Sequence, residues 1–462
     1  MRNYIIPSVL FVLLICYSPE GKGQGAGSRA QGLGNITLDE AIQLGVSNSP
    51  KLISQKLKLQ KEEQELSRVK LSKIPDINVT GDLRRNIIIP TTPIPASIMN
   101  PAADPDQMLY MKFNTGWNST AGINLSLDIF NPATYRQTKD QKIKNKITEY
   151  DLQISENDLR ADIAKAYAAC VISQDQVESF SSDTAFYRKS LDESETLYSR
   201  QNISLTEKNN AFIAYNTSIM QYQNAVNVLN ESKANLLYLL GMETSAQKID
   251  LLHVAEDIDA LYNKMNPVAQ GYVRTKGDFV ATGTELSRQS EIVVLTQNQV
   301  RSSRMKIAPS LSLKGFYGSN FYSNDFDFGN GDFWHGNSYL ALSLKVPLTQ
   351  SLATNKETSQ LKLQKQIETE NLREMQNLKS REWLDAKNKL IVSMREYEIL
   401  QQNYELSLEN LNASKAQLDK EYIQEKDFLQ EKVTNRNAYQ SFLQAAYNVF
   451  LNTIELKKIV GE

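Results

Sequence analysis

Glycine and proline are missing from two long stretches of this sequence: neither occurs from Ala133 to Leu240, nor again from Leu348 to Val460. In a helix interior glycine costs about 1 kcal/mol and proline about 3 relative to alanine, so such stretches are hard to reach unless the chain stays helical. Apolar periodicity agrees. Phe212, Tyr215, Ile219, Tyr222, Val226, Leu229, Leu236 and Leu240 follow steps of three and four, broken only by Lys233, which is a heptad stripe. Upstream, Ile143, Ile147, Tyr150, Ile154, Ala161, Ala164, Ala168 and Val171 keep similar spacing, and Tyr404, Leu408, Leu411, Leu418 and Tyr422 continue it in the second stretch. Near the C-terminus Tyr439, Phe442, Ala446 and Val449 run beside a second stripe of Leu443, Tyr447, Phe450 and Ile454. Two stripes require neighbours on two sides, as in the wall of a tube, whereas a helix on a globular surface needs one apolar face.

Four segments between the helices have a period of two. Ala121, Ile123, Leu125, Leu127 and Ile129 alternate with Thr120, Gly122, Asn124, Ser126 and Asp128. Ile77, Val79 and Leu83 alternate with Asn78, Thr80 and Asp82; Leu311, Leu313 and Tyr317 with Ser310, Ser312 and Lys314; and Leu340, Leu342, Leu344 and Val346 with Ser343 and Lys345. Strict alternation predicts strands with one apolar and one polar face. Their length of about ten residues suits a tilted strand crossing a bilayer. Trp117, Phe130, Phe333, Trp334 and Tyr339 sit at or near the predicted strand ends, where an interfacial aromatic girdle is expected. An ordinary soluble sheet with one face on a core is the alternative for each strand taken alone.

Arg2, the apolar run Ile5 to Ile15 and the small, polar stretch that follows read as a secretory leader. No stretch reaches the roughly 18 consecutive apolar residues of a transmembrane helix. A net charge of −2, 23% charged residues and a mean hydropathy of −0.42 describe a chain with no nucleic-acid character. Cys170 is the one cysteine beyond the leader, and His253 and His335 lie in separate segments with no metal-ligand spacing. No nucleotide loop or nucleophile elbow is present, so neither an enzyme nor a cofactor or metal is expected.

The order helix, strand, loop, strand, long helix, short break, helix occurs twice. Ile74-Pro75-Asp76-Ile77-Asn78-Val79 resembles Ala308-Pro309-Ser310-Leu311-Ser312-Leu313, Leu125-Ser126-Leu127 returns as Leu342-Ser343-Leu344, and Tyr198 to Glu207 echoes Leu418 to Asp427. The copies differ chiefly in the loop Arg85 to Asn118, which carries Pro90, Pro93, Pro95, Pro101 and Pro105 and is expected to be extracellular. The chain thus divides into a leader over 1–23, a first repeat over 24–240, a linker over 241–284 and a second repeat over 285–462. Strands are expected at 76–85 and 118–129 with helices at 134–200 and 204–240, then strands at 310–319 and 338–347 with helices at 350–419 and 424–459. Four strands cannot close a barrel without leaving unpaired edges in lipid, so oligomerisation is required. A dimer gives eight strands and a filled interior; a trimer gives twelve and a lumen, which is the expectation here. Tyr135 to Tyr198 alone would run roughly 95 Å as helix at 1.5 Å per residue.

These features resemble the TolC family of outer-membrane efflux proteins over residues 36–460. Ile36-Thr37-Leu38-Asp39-Glu40-Ala41 followed by Asn48-Ser49-Pro50 is similar to the family's opening pattern, and Ile74-Pro75 and Ala308-Pro309 resemble the dipeptide that introduces the first strand of each repeat. Asp128-Ile129-Phe130-Asn131-Pro132 resembles the turn from second strand to long helix. The resemblance implies an α+β membrane protein: a trimeric twelve-stranded β-barrel, four strands per protomer, continuous with a long periplasmic α-helical coiled-coil tunnel. It implies passive conduction across the Gram-negative outer membrane, as the channel of a tripartite efflux pump or type I secretion system. The implied partners are two further copies of the chain, outer-membrane lipid, a periplasmic adaptor (membrane fusion) protein and an inner-membrane pump of RND, ABC or MFS type.

The family breaks each helical pair at its periplasmic tip with Tyr-x-x-Gly and an acidic residue nine positions after the tyrosine. Tyr198, Gln201 and Glu207 occupy those positions in the first repeat, and Leu418, Glu421 and Asp427 in the second, with both glycines and the second tyrosine replaced. The resemblance makes Asp427 and Glu207 candidates for the periplasmic constriction; Asp427 could equally serve a helix start, and at Glu207 the helix-start reading leads, with only the family pattern against it. Tyr198, Gln201, Ile203, Glu421 and Ile423 are the expected adaptor contacts, and Asn124, Ser126, Asp128, Ser343 and Lys345 are expected to face the barrel lumen. A soluble periplasmic coiled-coil scaffold is the competing reading.

Overall fold

The structure, a computed structural model, describes residues 34–102, 104, 106–275, 283–420 and 422–461. The expected leader over 1–23, with Cys16, and the tip residue Glu421 lie outside the described residues. In chain order the first half runs β1 (Asn35–Ile36), α1 (Leu38–Asn48), α2 (Pro50–Leu71), β2 (Asp76–Arg85), β3 (Thr92–Pro95), β4 (Met108–Met111), β5 (Trp117–Phe130), α3 (Pro132–Ser199) and α4 (Leu205–Leu239). A connecting segment follows with α5 (Ala246–Leu251), β6 (His253–Val254) and α6 (Ile258–Arg274). The second half runs α7 (Thr284–Met305), β7 (Ser310–Ser323), β8 (Trp334–Lys345), α8 (Gln350–Leu418) and α9 (Glu425–Val460).

The two stretches without glycine or proline are the paired helices α3–α4 and α8–α9. Their helices pack side by side as a wall: α2, α3, α7 and α8 in that order near the sheet, and α4, α3, α9 and α8 in that order toward the tips. Both stripes of α9 are covered, Tyr439 and Tyr447 in part and the other six residues fully, because α9 has α8 on one flank and α3 on the other. The α4 stripe is used differently. Tyr215, Ile219, Tyr222, Val226 and Leu229 are only half-buried and Phe212 is exposed, while Ser218 and Ala225 are the fully covered residues of that region. Small side chains there let α3 and α4 approach closely. Among the described residues no helix is long and apolar enough to cross a membrane, which says nothing of a β-barrel.

The core is a band partway along the long helices, where Ile163, Tyr167 and Cys170 of α3 meet Leu236 and Leu237 of α4, Leu390 of α8 and Phe442, Val449 and Phe450 of α9. The first residues of the described chain and the connecting segment brace this band. Ile36 of β1 pairs in parallel with Val254 of β6, and the buried Tyr167 hydroxyl donates to the Ile36 carbonyl at 2.8 Å. Threonine and glutamate at 37 and 40 form a capping box that starts α1 at this brace.

β2, β5, β7 and β8 form one antiparallel sheet in that order. A β-bulge separates Asp128 from Phe130, so Phe130, not Ile129, takes the place opposite Leu311. Alternation predicted Ile129 on the apolar face; the extra residue shifts that register at the strand's end. The Pro-rich loop between β2 and β5 folds its own hairpin, with Thr92 to Pro95 of β3 opposite Met111 to Met108 of β4. The expected aromatic positions do not form one girdle. Trp117, Phe333 and Trp334 join Phe321, Phe326 and Phe328 in a cluster at the loop end, with Phe321 and Phe328 stacked at 4.3 Å, whereas Tyr339 lies in the middle of β8.

Candidate functional site at the helix tips and sheet faces

The two helix tips have one closing hydrogen bond in common and differ in their caps. α3 ends in a hydrogen-bonded loop in which Asn202 N–H donates to Leu197 O and Gln201 N–H to Tyr198 O, both at 2.9 Å. Gln201 sits between them with φ of 61°, the left-handed conformation that this motif requires and that glycine adopts without strain. The other end of the hairpin closes with the same pair of bonds around a glycine, Gly241, with φ of 70°. The residue replacing the family's tip glycine therefore keeps the glycine's backbone shape. Lys208 lies over the Tyr198 ring at 5.2 Å, and Ile203 is half-buried in the turn.

Ser204 then starts α4. Its hydroxyl accepts from Glu207 N–H at 3.2 Å, and the Glu207 carboxylate accepts from Ser204 N–H at 2.7 Å, a complete capping box. These bonds hold the Glu207 carboxyl below the usual carboxylate range, the backbone bond contributing most. The signal was in the sequence: Ser204-Leu205-Thr206-Glu207 is the capping-box pattern. At the second tip Tyr422 N–H donates to Gln417 O at 2.9 Å, the counterpart of the Asn202–Leu197 bond. Tyr422 thereby leaves the helical stripe that spacing assigned to it and stands exposed in the turn, beside half-buried Ile423. The residue preceding α9 is Gln424, which makes no side-chain cap. Asp427 is exposed, and among the described residues its carboxylate has no hydrogen bond or ion pair. One acidic tip residue is thus engaged in local structure and the other is available.

Sequence reasoning missed a charged cluster where α9 meets α3 above the tips. Asp183 of α3 receives Lys432 at 3.1 Å and Arg436 at 3.2 Å, both from α9, and Arg436 also donates to Gln221 of α4 at 3.3 Å. Lys432 lies 3.9 Å over the Phe186 ring, which packs on Phe428. Beside the cluster, burial pushes the Asp175 carboxyl up to about 6, helped by the nearby Asp257, Glu178 and Asp259. Nothing local in sequence links these residues, because Asp183 and Arg436 lie in different halves of the chain.

In the sheet, register places directly opposed residues on one face. Asn78 and Thr80 of β2, Asn124, Ser126 and Asp128 of β5, Ser312 and Lys314 of β7, and Ser343 and Lys345 of β8 share the polar face. All five residues expected in a lumen fall there, and Asn124 donates across to Thr80 at 2.7 Å. The other face carries Ile77, Val79, Ile123, Leu313, Leu340, Leu342 and Leu344. Val79 is 79% exposed and Leu340 71%, so nothing among the described residues covers that face at its outer strands.

Neither a protein-family model nor a curated protein sequence matches the chain. Solved structures do. The CmeC outer membrane channel of Campylobacter jejuni superposes with a TM-score of 0.72 at 15% identity, over 92% of this chain and 85% of that one. The outer membrane protein VceC of Vibrio cholerae gives 0.68 at 13% identity, over 92% and 96%. The open state of the Neisseria gonorrhoeae MtrE outer membrane channel gives 0.67 at 13%, over 92% and 88%. The chain has the fold of these channels, which are not enzymes, and the likeness agrees with the TolC-family resemblance of its sequence.

Proposed function

We propose that the chain is the outer-membrane channel of a tripartite efflux pump or type I secretion system, a homotrimer that conducts cargo passively from the periplasm to the exterior of a Gram-negative cell. The observation that carries this reading is the sheet: four strands, two free edges, one polar face and one uncovered apolar face. A soluble scaffold would bury that apolar face on its own core, whereas a bilayer covers it, at about 1.5–3 kcal/mol per large side chain. In lipid each unpaired backbone group costs several kcal/mol, so the free edges must pair. β2 and β8 run in opposite directions, and the β8 edge of one copy can continue the antiparallel sheet into β2 of the next. Three copies give twelve strands around a lumen lined by Asn124, Ser126, Asp128, Ser343 and Lys345.

The helical wall has matching free edges. Val392, Ile399 and Leu406 of α8 are spaced by heptads and exposed, as are Ile213 and Met220 of α4, and these rows meet between neighbouring copies to close a tunnel. At its periplasmic end three Asp427 carboxylates form a ring that favours cations, while Glu207, held in its cap, takes the smaller part. Tyr198, Gln201, Ile203, Glu421 and Ile423 are the surface for a periplasmic adaptor, through which an inner-membrane pump of RND, ABC or MFS type delivers cargo. The test is single-channel recording of protein extracted from outer membranes in detergent, with and without Asp427→Ala. Small cation-selective openings that grow in the variant are expected; a protein that leaves the membrane fraction without detergent and forms no channel would defeat the proposal.

A further inference from the structure

The polar face of the sheet is interrupted by aromatic rings where period-two alternation calls for small polar residues. Phe316 of β7 lies opposite Asn124 on one side and Tyr339 of β8 on the other, so both rings belong to the same face as Asn124, Ser126 and Asp128. The two rings stack at 6.0 Å with 25° between their planes. Phe316 is only 8% exposed although it stands on an otherwise open face, because it lies flat on the sheet. Its floor is Gly122 and Gly318, which are paired across β5 and β7. A Cβ added to Gly122 would meet the Phe316 ring at 2.6 Å and one added to Gly318 would meet it at 2.8 Å. The missing side chains make the recess in which the ring lies. Tyr339, by contrast, is 54% exposed. One ring therefore acts as a fixed support and the other as an accessible face. Toward the loop end of the same face Tyr322 stacks on His335 at 6.1 Å, a second ring pair in line with the first.

We propose that Tyr339, supported by Phe316 on the Gly122–Gly318 floor, is a binding site for planar aromatic solutes midway along the lumen. This rests on the channel reading, since only there does the polar face line a lumen. The chemistry follows from the arrangement: a flat, immobilised aromatic surface loses little entropy on stacking a second ring, and it is sequence- and charge-tolerant because any aromatic solute has a π-face. Three copies set such surfaces around the lumen at one level.

Two amines of equal charge, tryptamine and hexylamine, test this as blockers of single channels formed by the full chain. In the unmodified channel tryptamine blockades are expected to last about three- to tenfold longer than hexylamine blockades, equivalent to about 0.7–1.4 kcal/mol, in the range of one aromatic pair. Tyr339→Ser should bring tryptamine down to the hexylamine dwell, Tyr339→Phe should keep the difference, and Phe316→Leu should reduce it by loosening the support. Open-channel conductance within a few per cent of the unmodified channel shows that each variant still forms the pore. Equal dwell times for the two amines in the unmodified channel, or a difference that survives Tyr339→Ser, would overturn the site while leaving the channel itself standing. A chain that opens no channel at all would overturn the reading beneath it.

Discussion

Asp183→Asn changes one charge at the place where α9 is tied to α3 above the tips. Lys432 and Arg436 both contact the Asp183 carboxylate, and their side chains are 17% and 15% exposed, so the substitution leaves two covered cations one turn apart without their anion. Removing one partner of a fully buried pair costs about 3–5 kcal/mol, and the residual solvent here recovers part of it, which leaves about 2 kcal/mol. The loss is local, because Phe428 at the start of α9 is held to Phe186 next to the same cluster. Hydrogen exchange reads it directly: at about 1.4 kcal/mol per tenfold, amides from 428 to 439 should exchange about 30-fold faster in the variant. Amides from 443 to 456, within the core band, should change little. Adding Arg436→Gln to Asp183→Asn should recover part of the protection, since it removes one of the stranded charges. Exchange less than about 3-fold faster, or equal acceleration in both segments, would refute the idea that this cluster fastens the lower end of α9.

The tips and the neighbouring acidic group give further expectations. Ser204→Ala should destabilise the start of α4 by about 1 kcal/mol through loss of the cap, seen as faster exchange at 205–209. Gln201→Gly should be neutral or stabilising by up to about 1 kcal/mol in chemical denaturation, since it relieves a left-handed residue, whereas Gly241→Ala should destabilise. At Gly241 an added Cβ would also meet the Asn48 carbonyl at 2.5 Å. Asp175 has its pKa raised from 3.8 to about 6, so the folded state holds its proton more tightly than the unfolded one. Stability from this group is present below pH 4 and is lost as pH rises through about 6, and Asp175→Asn should remove that loss and flatten the melting temperature between those values.

The long helices were legible because the absence of glycine and proline acts over dozens of residues, and the strands because alternation is a local property of each one. Features that depend on a second strand were not. The bulge at Ile129 leaves the order of apolar residues intact and shows only when Phe130 is found opposite Leu311. Phe316 and Tyr339 share the alternation phase of Lys314 and Ser343, so each strand's own pattern already puts them on its polar face; that they are neighbours of one another and of Asn124 shows only in the register. At the tips the family pattern treated Glu207 and Asp427 alike, and the difference between them is one residue: serine at 204 closes a capping box and glutamine at 424 does not. Asp183, Lys432 and Arg436 meet only after two helical hairpins pack, so no window of sequence contains them together.

The central claim is that the free edges of β2 and β8 are joined between copies. Electron cryomicroscopy of the detergent-extracted chain in lipid nanodiscs tests it most directly. The account predicts three protomers, twelve strands, a β8–β2 ladder at each boundary and the Val79 and Leu340 face toward lipid. A single protomer whose sheet stays open, or a sheet whose apolar face is covered by its own helices, would contradict it.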